Sequence, residues 1–298
     1  MKGENILKLI GNTPMVKINA LNPNKNVNIY AKLEGKNPTG SIKDRIAIKM
    51  IEQAELDGAL VKGKTIIEPT SGNTGISLAM IGAVKGYAVE IVMSSAVSVE
   101  RQKMIKAFGA TITLTDADKG TDGAIIKARE LVKNNSDKYF MPDQFSNKYN
   151  KLAHYISTSH EIINQIDANI DYFVSAIGTS GTIMGVGMGL KQHQPNVKIV
   201  CAEPIKGHYI QGLKNMDEAI VPSIYDKNEI DEFIMVESEE AFKTAREIVR
   251  KEGIFIGMSS GAALLAAIKI AEKIDKGNIV VIFADRGEKY LSTDLFNV

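Results

Sequence analysis

Strand-like and helix-like segments alternate along almost the whole chain, and this alternation constrains the fold more than any other feature. Short apolar runs such as VNIYAKL (residues 27–33), AVEIVM (88–93) and NIVVIFA (278–284) are typical of strands. Strands that alternate with helices of about 10–15 residues indicate βαβ units and parallel sheets. Because several of these strands are almost wholly apolar, we expect both faces of the sheets to be covered.

The segments fall into two groups, so we predict two open α/β domains with mostly parallel central sheets. The smaller domain would span residues 36–145, and the larger one residues 1–35 and 146–298. Ligands of open α/β sheets bind at the carboxyl ends of the strands. The cleft between the domains is therefore the expected ligand site.

Composition excludes several classes of function. The chain has 298 residues, is 44% hydrophobic and 24% charged, and carries a net charge of +1, so we expect neither a nucleic-acid nor a membrane partner. The single cysteine allows no internal disulfide, and the N-terminus has no run typical of a signal peptide. The four histidines have no metal-ligand spacing. We expect a cytoplasmic protein without a metal centre.

The stretch AIGTSGTIMG follows an apolar strand and opens a helix, which is the setting of an anion site. Glycines there let the backbone approach an anion, hydroxyls add donors, and the helix dipole favours negative charge. No lysine or G-x-G-x-x-G pattern completes a nucleotide motif, so we predict a single phosphate monoester, with a purely structural turn as the alternative. The residues concerned are Gly178, Thr179, Ser180, Gly181 and Thr182.

Two further strand-to-helix junctions are polar. EPTSGNTG (residues 68–75) precedes a helix, residues 76–84, that has no charged residue and is therefore expected to be buried. A polar start on a buried helix favours a carboxylate site, although ordinary helix capping is at least as good an explanation. In GMSSGA (257–262), Ser259 or Ser260 would cap the next helix.

The stretch NPTGSIKDR places Lys43 in the first turn of a predicted helix. A cation there faces the positive end of the helix dipole, which is unfavourable by about 0.3–1 kcal/mol. The same field lowers the pKa of a lysine, and a neutral amine is what carbon–nitrogen bond formation requires. A lysine, a phosphate site and a carboxylate loop together indicate pyridoxal 5'-phosphate. Taken alone, Lys43 would more simply be a solvated side chain.

Seven motifs in order along the chain resemble the cysteine synthase (O-acetylserine sulfhydrylase) family, whose fold is that of the tryptophan synthase β-type pyridoxal phosphate enzymes. They are IGNTPMVKI, KNPTGSIKDR, EPTSGNTG, QFSN, GTSGT, GIFIGMSSGAA and DRGEKYLST, and they extend over essentially the whole chain. KLEGKNPTGSIKDR and DRGEKYLST are most similar to the B isozyme. The resemblance implies a homodimer with the cofactor in the cleft and a mobile part at about residues 88–133.

The resemblance also implies a role for each matching residue. Lys43 would be the Schiff-base lysine and the catalytic base, Asn73 would hydrogen-bond the cofactor's 3'-hydroxyl, and Ser259 would face its pyridine nitrogen. The loop 178–182 would bind the cofactor phosphate. The substrate α-carboxylate would be held by Thr70, Ser71, Gly72, Thr74 and Gln144.

The implied reaction is β-replacement, in which an activated serine such as O-acetyl-L-serine and sulfide or a thiol form L-cysteine or a thioether through an aminoacrylate. Two departures from the family pattern, after QFSN and after Met93, leave other reactions open. These are sulfide release from cysteine, a cystathionine β-synthase-like activity and, from another class, non-catalytic binding of a phosphate-bearing ligand. The long connection 207–232 carries Asp226, which we consider as a base that activates the nucleophile, with a solvated surface loop as the alternative.

Overall fold

The computed structural model describes residues 3–297, and its strands form the two sheets that the alternation predicts. The larger sheet contains β1 (Met15–Ile18), β2 (Val27–Leu33), β7 (Tyr172–Ala176), β8 (Lys198–Pro204), β9 (Glu232–Val236) and β10 (Gly277–Phe283). Its spatial order is β1-β2-β10-β7-β8-β9, and only the β1–β2 pair is antiparallel. The smaller sheet is wholly parallel, in the order β5-β4-β3-β6. Its strands are β3 (Thr65–Pro69), β4 (Ala88–Ser94), β5 (Thr111–Thr115) and β6 (Tyr139–Phe140).

Helices connect the strands and cover both sheets. They are α1 (Lys43–Leu56), α2 (Asn73–Lys85), α3 (Val99–Ala107), α4 (Gly120–Asn134), α5 (Lys148–Ala153), α6 (Ser159–Gln165), α7 (Gly181–His193), α8 (Ser238–Glu252) and α9 (Met258–Ala271). A π-helical turn, His154–Thr158, joins α5 to α6. Within the described residues, no helix is long and apolar enough to cross a bilayer.

Each sheet has an apolar core on both of its faces. On the larger sheet, α8 and α9 bury one face and α6 and α7 bury the other. On the smaller sheet, α1, α2 and α3 cover one face and α4 covers the opposite one. The predicted fold class, with open α/β units and mostly parallel sheets, is confirmed. The proposed domain division at residues 36–145 stays a prediction.

A buried network of four charges ties the start of α1 to the larger sheet. Arg45, 3% exposed, pairs with Glu34 just after β2 (Nε to Oε2, 2.7 Å) and with Glu161 of α6 (Nη1 to Oε1, 2.6 Å). Lys32 of β2 reaches the other oxygen of Glu161 at 2.7 Å. Burial opposes the charge on Glu161, but hydrogen bonds from Arg45 and Lys32 lower the pKa of its carboxyl to about 2. The helix that begins with Lys43 is therefore anchored two residues away from that lysine.

Glycines at every fourth position of α7 allow it to lie close to the helical segment 148–165. A Cβ at Gly185 would lie 2.2 Å from the backbone carbonyl oxygen of Lys151, and one at Gly189 would lie 2.2 Å from the hydroxyl of Ser159. These contacts fix how far α7 lies from α5 and from α6. A Cβ at Gly187, on another side of the same helix, would meet only Ile199 side-chain atoms at 3.4 Å.

We expect Gly185→Ala to lower the free energy of unfolding by about 1–3 kcal/mol, because the added methyl overlaps a backbone atom that cannot move alone. The matched control Gly187→Ala should be neutral or stabilising by up to about 1 kcal/mol, since alanine favours the helix. Urea unfolding of both variants measures the difference. Equal effects of the two substitutions would contradict this packing.

Candidate active site

The loops that follow strands of both sheets meet around one cavity, and the structure brings most of the predicted site residues to it. The loop after β3 comes from the smaller sheet and the loop after β7 from the larger one. The predicted residues that line the cavity are Lys43, Thr70, Ser71, Asn73, Thr74, Gln144, Gly178, Thr179, Ser180, Thr182 and Ser259. Gly72 and Gly181 belong to the same loops but are not part of the lining.

Lys43 is the first residue of α1 and presents an amine to the cavity. Burial lowers the pKa of this amine to about 8, although the carboxylate of Asp285 opposes the shift. Within residues 3–297 the ammonium has no hydrogen-bond or ion-pair partner. The sequence predicted a lowered pKa from the helix dipole, and the structure adds burial as a cause of the lowering. An amine of this kind is neutral in a substantial fraction of molecules just above neutral pH.

The geometry of the loop before α7 fits a bound anion. Ser180 has φ 66°, a left-handed conformation that is costly for a residue with a side chain, and its buried hydroxyl has no partner among the described residues. A Cβ at Gly178 would lie 2.4 Å from the carbonyl oxygen of Gly212, and one at Gly181 would overlap the side chain of Asn150. An unpartnered hydroxyl beside the free amides of a helix N-terminus fits a phosphate monoester.

Neighbouring side chains hold the two threonines of this loop. Asn150 Nδ2 donates to Thr179 Oγ1 at 2.9 Å, and Thr182 Oγ1 lies 3.2 Å from His154 Nε2. Burial lowers the pKa of His154 well below its usual value, and the positive charges of Lys43 and Arg45 act in the same direction. The imidazole is therefore neutral, so it adds no charge beside the loop.

The loop before α2 is held by hydrogen bonds among predicted site residues and by Glu68, to which the sequence assigned no role. Thr74 Oγ1 donates to Gln144 Oε1 at 2.7 Å, which brings the two predicted carboxylate ligands together. The buried carboxylate of Glu68 accepts from the backbone N–H groups of Asp143 and Gln144, both at 2.9 Å. Burial raises the pKa of Glu68 to about 8 despite these bonds. Gly72 has φ 130°, which only glycine adopts readily, and Arg101 occupies the space where a Cβ would lie.

Ser259 is 7% exposed and faces the cavity from the first turn of α9. The expected cap at this helix is not formed, because Gly257 is the N-cap residue and no side chain caps the helix. The hydroxyl of Ser260 is buried and has no partner in the described chain. The capping interpretation of GMSSGA is therefore wrong, and Ser259 is free to contact a ligand.

Helices of the smaller sheet contact the segment 211–214, which also lines the cavity. Arg101 of α3, 1% exposed, donates to Gln211 and stacks 4.4 Å above the ring of Tyr290. Lys214 pairs with Asp122 of α4 at 2.6 Å. Both contacts join the proposed mobile part to the rim of the cavity.

Asp226 does not reach the cavity. Its carboxylate accepts a hydrogen bond from the backbone N–H of Asn228 at 2.9 Å and so caps a short 3-10 helix, Lys227–Glu229. The structure gives no geometric support to the prediction that Asp226 activates a nucleophile. Gln211 and Lys214, from the same long connection, lie at the cavity instead.

Comparison with known proteins agrees with this geometry. Residues 6–285 match the family described as pyridoxal-phosphate dependent enzyme, and the chain belongs to this family. It is 49% identical to a cysteine synthase of Aquifex aeolicus, over 99% of this chain and 92% of that protein. Among solved structures it resembles the cysteine synthase of Entamoeba histolytica, with a TM-score of 0.92, 44% identity and coverage of 100% of this chain and 92% of the other. It also resembles a hydrogen sulfide-producing enzyme of Fusobacterium nucleatum, with a TM-score of 0.93, 43% identity and coverage of 97% and 100%.

We expect Lys43→Met to stabilise the cofactor-free protein at pH 7. The folded state lowers the pKa of Lys43 from 10.5 to about 8, so below pH 8 folding places an unpaired charge in the cavity at a cost that the methionine avoids. As pH rises from 8 to 10.5 the unfolded state loses its proton too, and the advantage of the variant should disappear. Urea unfolding at pH 7 and near pH 10.5 measures this. Lys43→Arg, which stays charged throughout, should bring no gain at either pH.

Proposed function

We propose that this protein is a pyridoxal phosphate-dependent cysteine synthase, which forms L-cysteine from O-acetyl-L-serine and sulfide by β-replacement. The observation that carries the proposal is the cavity, where the amine of Lys43 faces an anion loop before α7 and a polar loop before α2. Cysteine synthases among the similar proteins support the choice of reaction.

The residues of the cavity fit the cofactor group by group. The loop 178–182 would hold its phosphate through helix amides and the hydroxyl of Ser180. Lys43 would bind it covalently, Asn73 would contact its 3'-oxygen, and Ser259 would face its ring nitrogen. When bound, pyridoxal 5'-phosphate supplies the electron sink that makes the α-proton of the substrate acidic.

The loop before α2 would hold the α-carboxylate of the substrate. Amides at the start of α2 and the side chains of Thr70, Ser71, Thr74 and Gln144 all offer donors there, and Gly72 permits the backbone conformation. Holding the carboxylate fixes the substrate's α-carbon relative to Lys43. Orientation of this kind is a large part of what a binding site contributes to rate.

Once the substrate amine has displaced it from the cofactor, Lys43 would act as the general base and acid of the reaction. Its neutral Nζ accepts the α-proton, the bond from the β-carbon to the acetate oxygen breaks, and acetate leaves. Sulfide forms the new bond to the β-carbon, and Nζ returns the proton to the α-carbon. The lowered pKa of Lys43 suits both transfers, because a base near the working pH both accepts and releases a proton readily.

Sulfide release from cysteine is the second candidate reaction. Similarity to the hydrogen sulfide-producing enzyme of F. nucleatum favours it, because the same cavity would serve both directions of exchange at the β-carbon. The activating base for this reaction stays unassigned, since Asp226 lies away from the cavity. The homodimer and the cytoplasmic location also stay predictions.

We expect borohydride reduction of the purified holoenzyme, followed by peptide mapping, to place the pyridoxyl group on Lys43. Lys43→Ala should lower turnover by about 100- to 10,000-fold, as loss of a general base does. A panel of amino-acid donors against sulfide and thiols should give the highest kcat/KM for O-acetylserine with sulfide. A label on Lys36 or Lys49 would refute the assignment of Lys43. Faster sulfide release from cysteine alone would select the second candidate.

We also propose that the part of the chain at about residues 88–133 closes over the bound substrate, because its helices α3 and α4 already contact the cavity rim at Gln211 and Lys214. Amide hydrogen exchange in this part should slow when a non-reacting amino acid binds, while exchange in α9 stays unchanged. Asp122→Asn, which weakens the contact to Lys214, should reduce the slowing. No protection in α3 and α4 would argue against closure.

A further inference from the structure

The side-chain amide of Asn73 is held between two oppositely charged groups. Its Nδ2 donates to the carboxylate of Asp285 at 2.7 Å, and its Oδ1 accepts from the ammonium of Lys289 at 2.9 Å. Asp285 is 1% exposed and Lys289 is 3% exposed, so both charges lie inside the protein. Asn73 itself lines the cavity, whereas neither charged partner does.

These two contacts allow only one orientation of the amide. Turned by 180°, the amide would aim its NH2 group at an ammonium and its oxygen at a carboxylate, which replaces two hydrogen bonds with two repulsions. The observed orientation uses the single oxygen and one of the two N–H groups. One N–H therefore remains for a ligand in the cavity, so Asn73 offers a donor there.

The same ammonium also ties this amide to the segment that carries Lys43. Lys289 Nζ donates to the carbonyl oxygen of Gly40 at 3.1 Å, three residues before Lys43. Asp285 is held in turn by the hydroxyl of Tyr290 at 2.7 Å. Both partners of Asn73 are thus fixed from outside the cavity, and neither is free to turn toward a ligand.

We propose that Lys289 and Asp285 are positioning residues, which fix the amide of Asn73 so that its remaining N–H donates to an oxygen of the bound cofactor. The inference rests on the proposed function only in taking pyridoxal 5'-phosphate as the ligand. An amide locked as a donor favours an oxygen acceptor that carries negative charge, because hydrogen bonds to charged groups are the stronger ones. The 3'-oxygen of pyridoxal 5'-phosphate is an acceptor of this kind when it is ionised.

The first experiment titrates cofactor-free protein with pyridoxal 5'-phosphate at pH 7 and records both the Kd and the absorption spectrum of the bound cofactor. Lys289→Met, which is similar in length but has no donor, should raise the Kd about tenfold and change the spectrum. Ser98→Ala is the matched control, because Ser98 donates to the backbone oxygen of Lys289 at 2.7 Å and not to its ammonium. This control should leave the Kd and the spectrum unchanged. Wild-type behaviour of Lys289→Met would overturn the proposal.

A double-variant cycle shows whether Lys289 affects cofactor binding by positioning Asn73 or independently of Asn73. If Lys289 acts through Asn73, the variant Asn73→Ala/Lys289→Met should bind the cofactor no more weakly than Asn73→Ala alone. Additive losses would mean that Lys289 acts independently, and would overturn the inference while leaving the proposed function intact. Absence of cofactor binding by the wild-type protein would instead overturn the proposed function.

A charge-conserving exchange covers the case in which Lys289→Met does not fold. In Asn73→Asp/Asp285→Asn, the new carboxylate accepts from Lys289 and from the new amide, whereas Tyr290 and Arg101 lose the carboxylate oxygen to which they donate. No N–H at position 73 remains for the cofactor. We expect lower stability than that of the wild type, and in the folded variant a Kd raised about tenfold and an altered spectrum. Wild-type affinity in this variant would overturn the proposal, because it would show that the N–H is not used.

Discussion

The buried network of Arg45, Glu34, Glu161 and Lys32 is the interaction on which the site depends. Its charges come from β2, the loop after β2, α1 and α6, and each cation touches a carboxylate at 2.6–2.7 Å. Removing one partner of such a network leaves an uncompensated buried charge, typically at a cost of about 3–5 kcal/mol. The network therefore specifies one position of α1 against the larger sheet, and with it the position of the amine of Lys43.

The cavity is organised by helix beginnings rather than by charged side chains. Four helices start at it, namely α1 at Lys43, α2 at Asn73, α7 at Gly181 and α9 at Met258. Each beginning contributes partial positive charge and unsatisfied N–H groups. Such a surrounding favours phosphate and carboxylate groups and disfavours an ammonium. The same backbone feature thus supports the proposal that two of these loops bind anions, and it favours the loss of a proton from Lys43.

Sequence reasoning found the parts of the site that are local in the chain. The loops 68–75 and 178–182 were predictable because a strand, a glycine-rich turn and a helix follow one another there. Lys43 was predictable because a cation in the first turn of a helix faces the positive end of the helix dipole. Short strands such as β6 have no periodic signal over two residues, so they were missed. Glu68, Arg101, Asp285 and Lys289 were assigned no role, although all but Arg101 stand in the motifs EPTSGNTG and DRGEKYLST. Their long-range partners lie 75 to 249 positions away, a pairing that only the fold reveals.

The strand order has a consequence for the order of events during synthesis. The last strand, β10, lies between β2 and β7, so it pairs with segments made some 250 and 107 positions earlier. Until it leaves the ribosome, the larger sheet has a gap at its centre and the apolar side chains of both neighbours are uncovered. Asp285 and Lys289 come soon after β10, so the amide of Asn73 has neither of its two partners until this segment has been made. A nascent chain that stops before β10 therefore has neither a closed larger sheet nor a completed cavity, because Ile282 and Ala284 belong to the cavity lining.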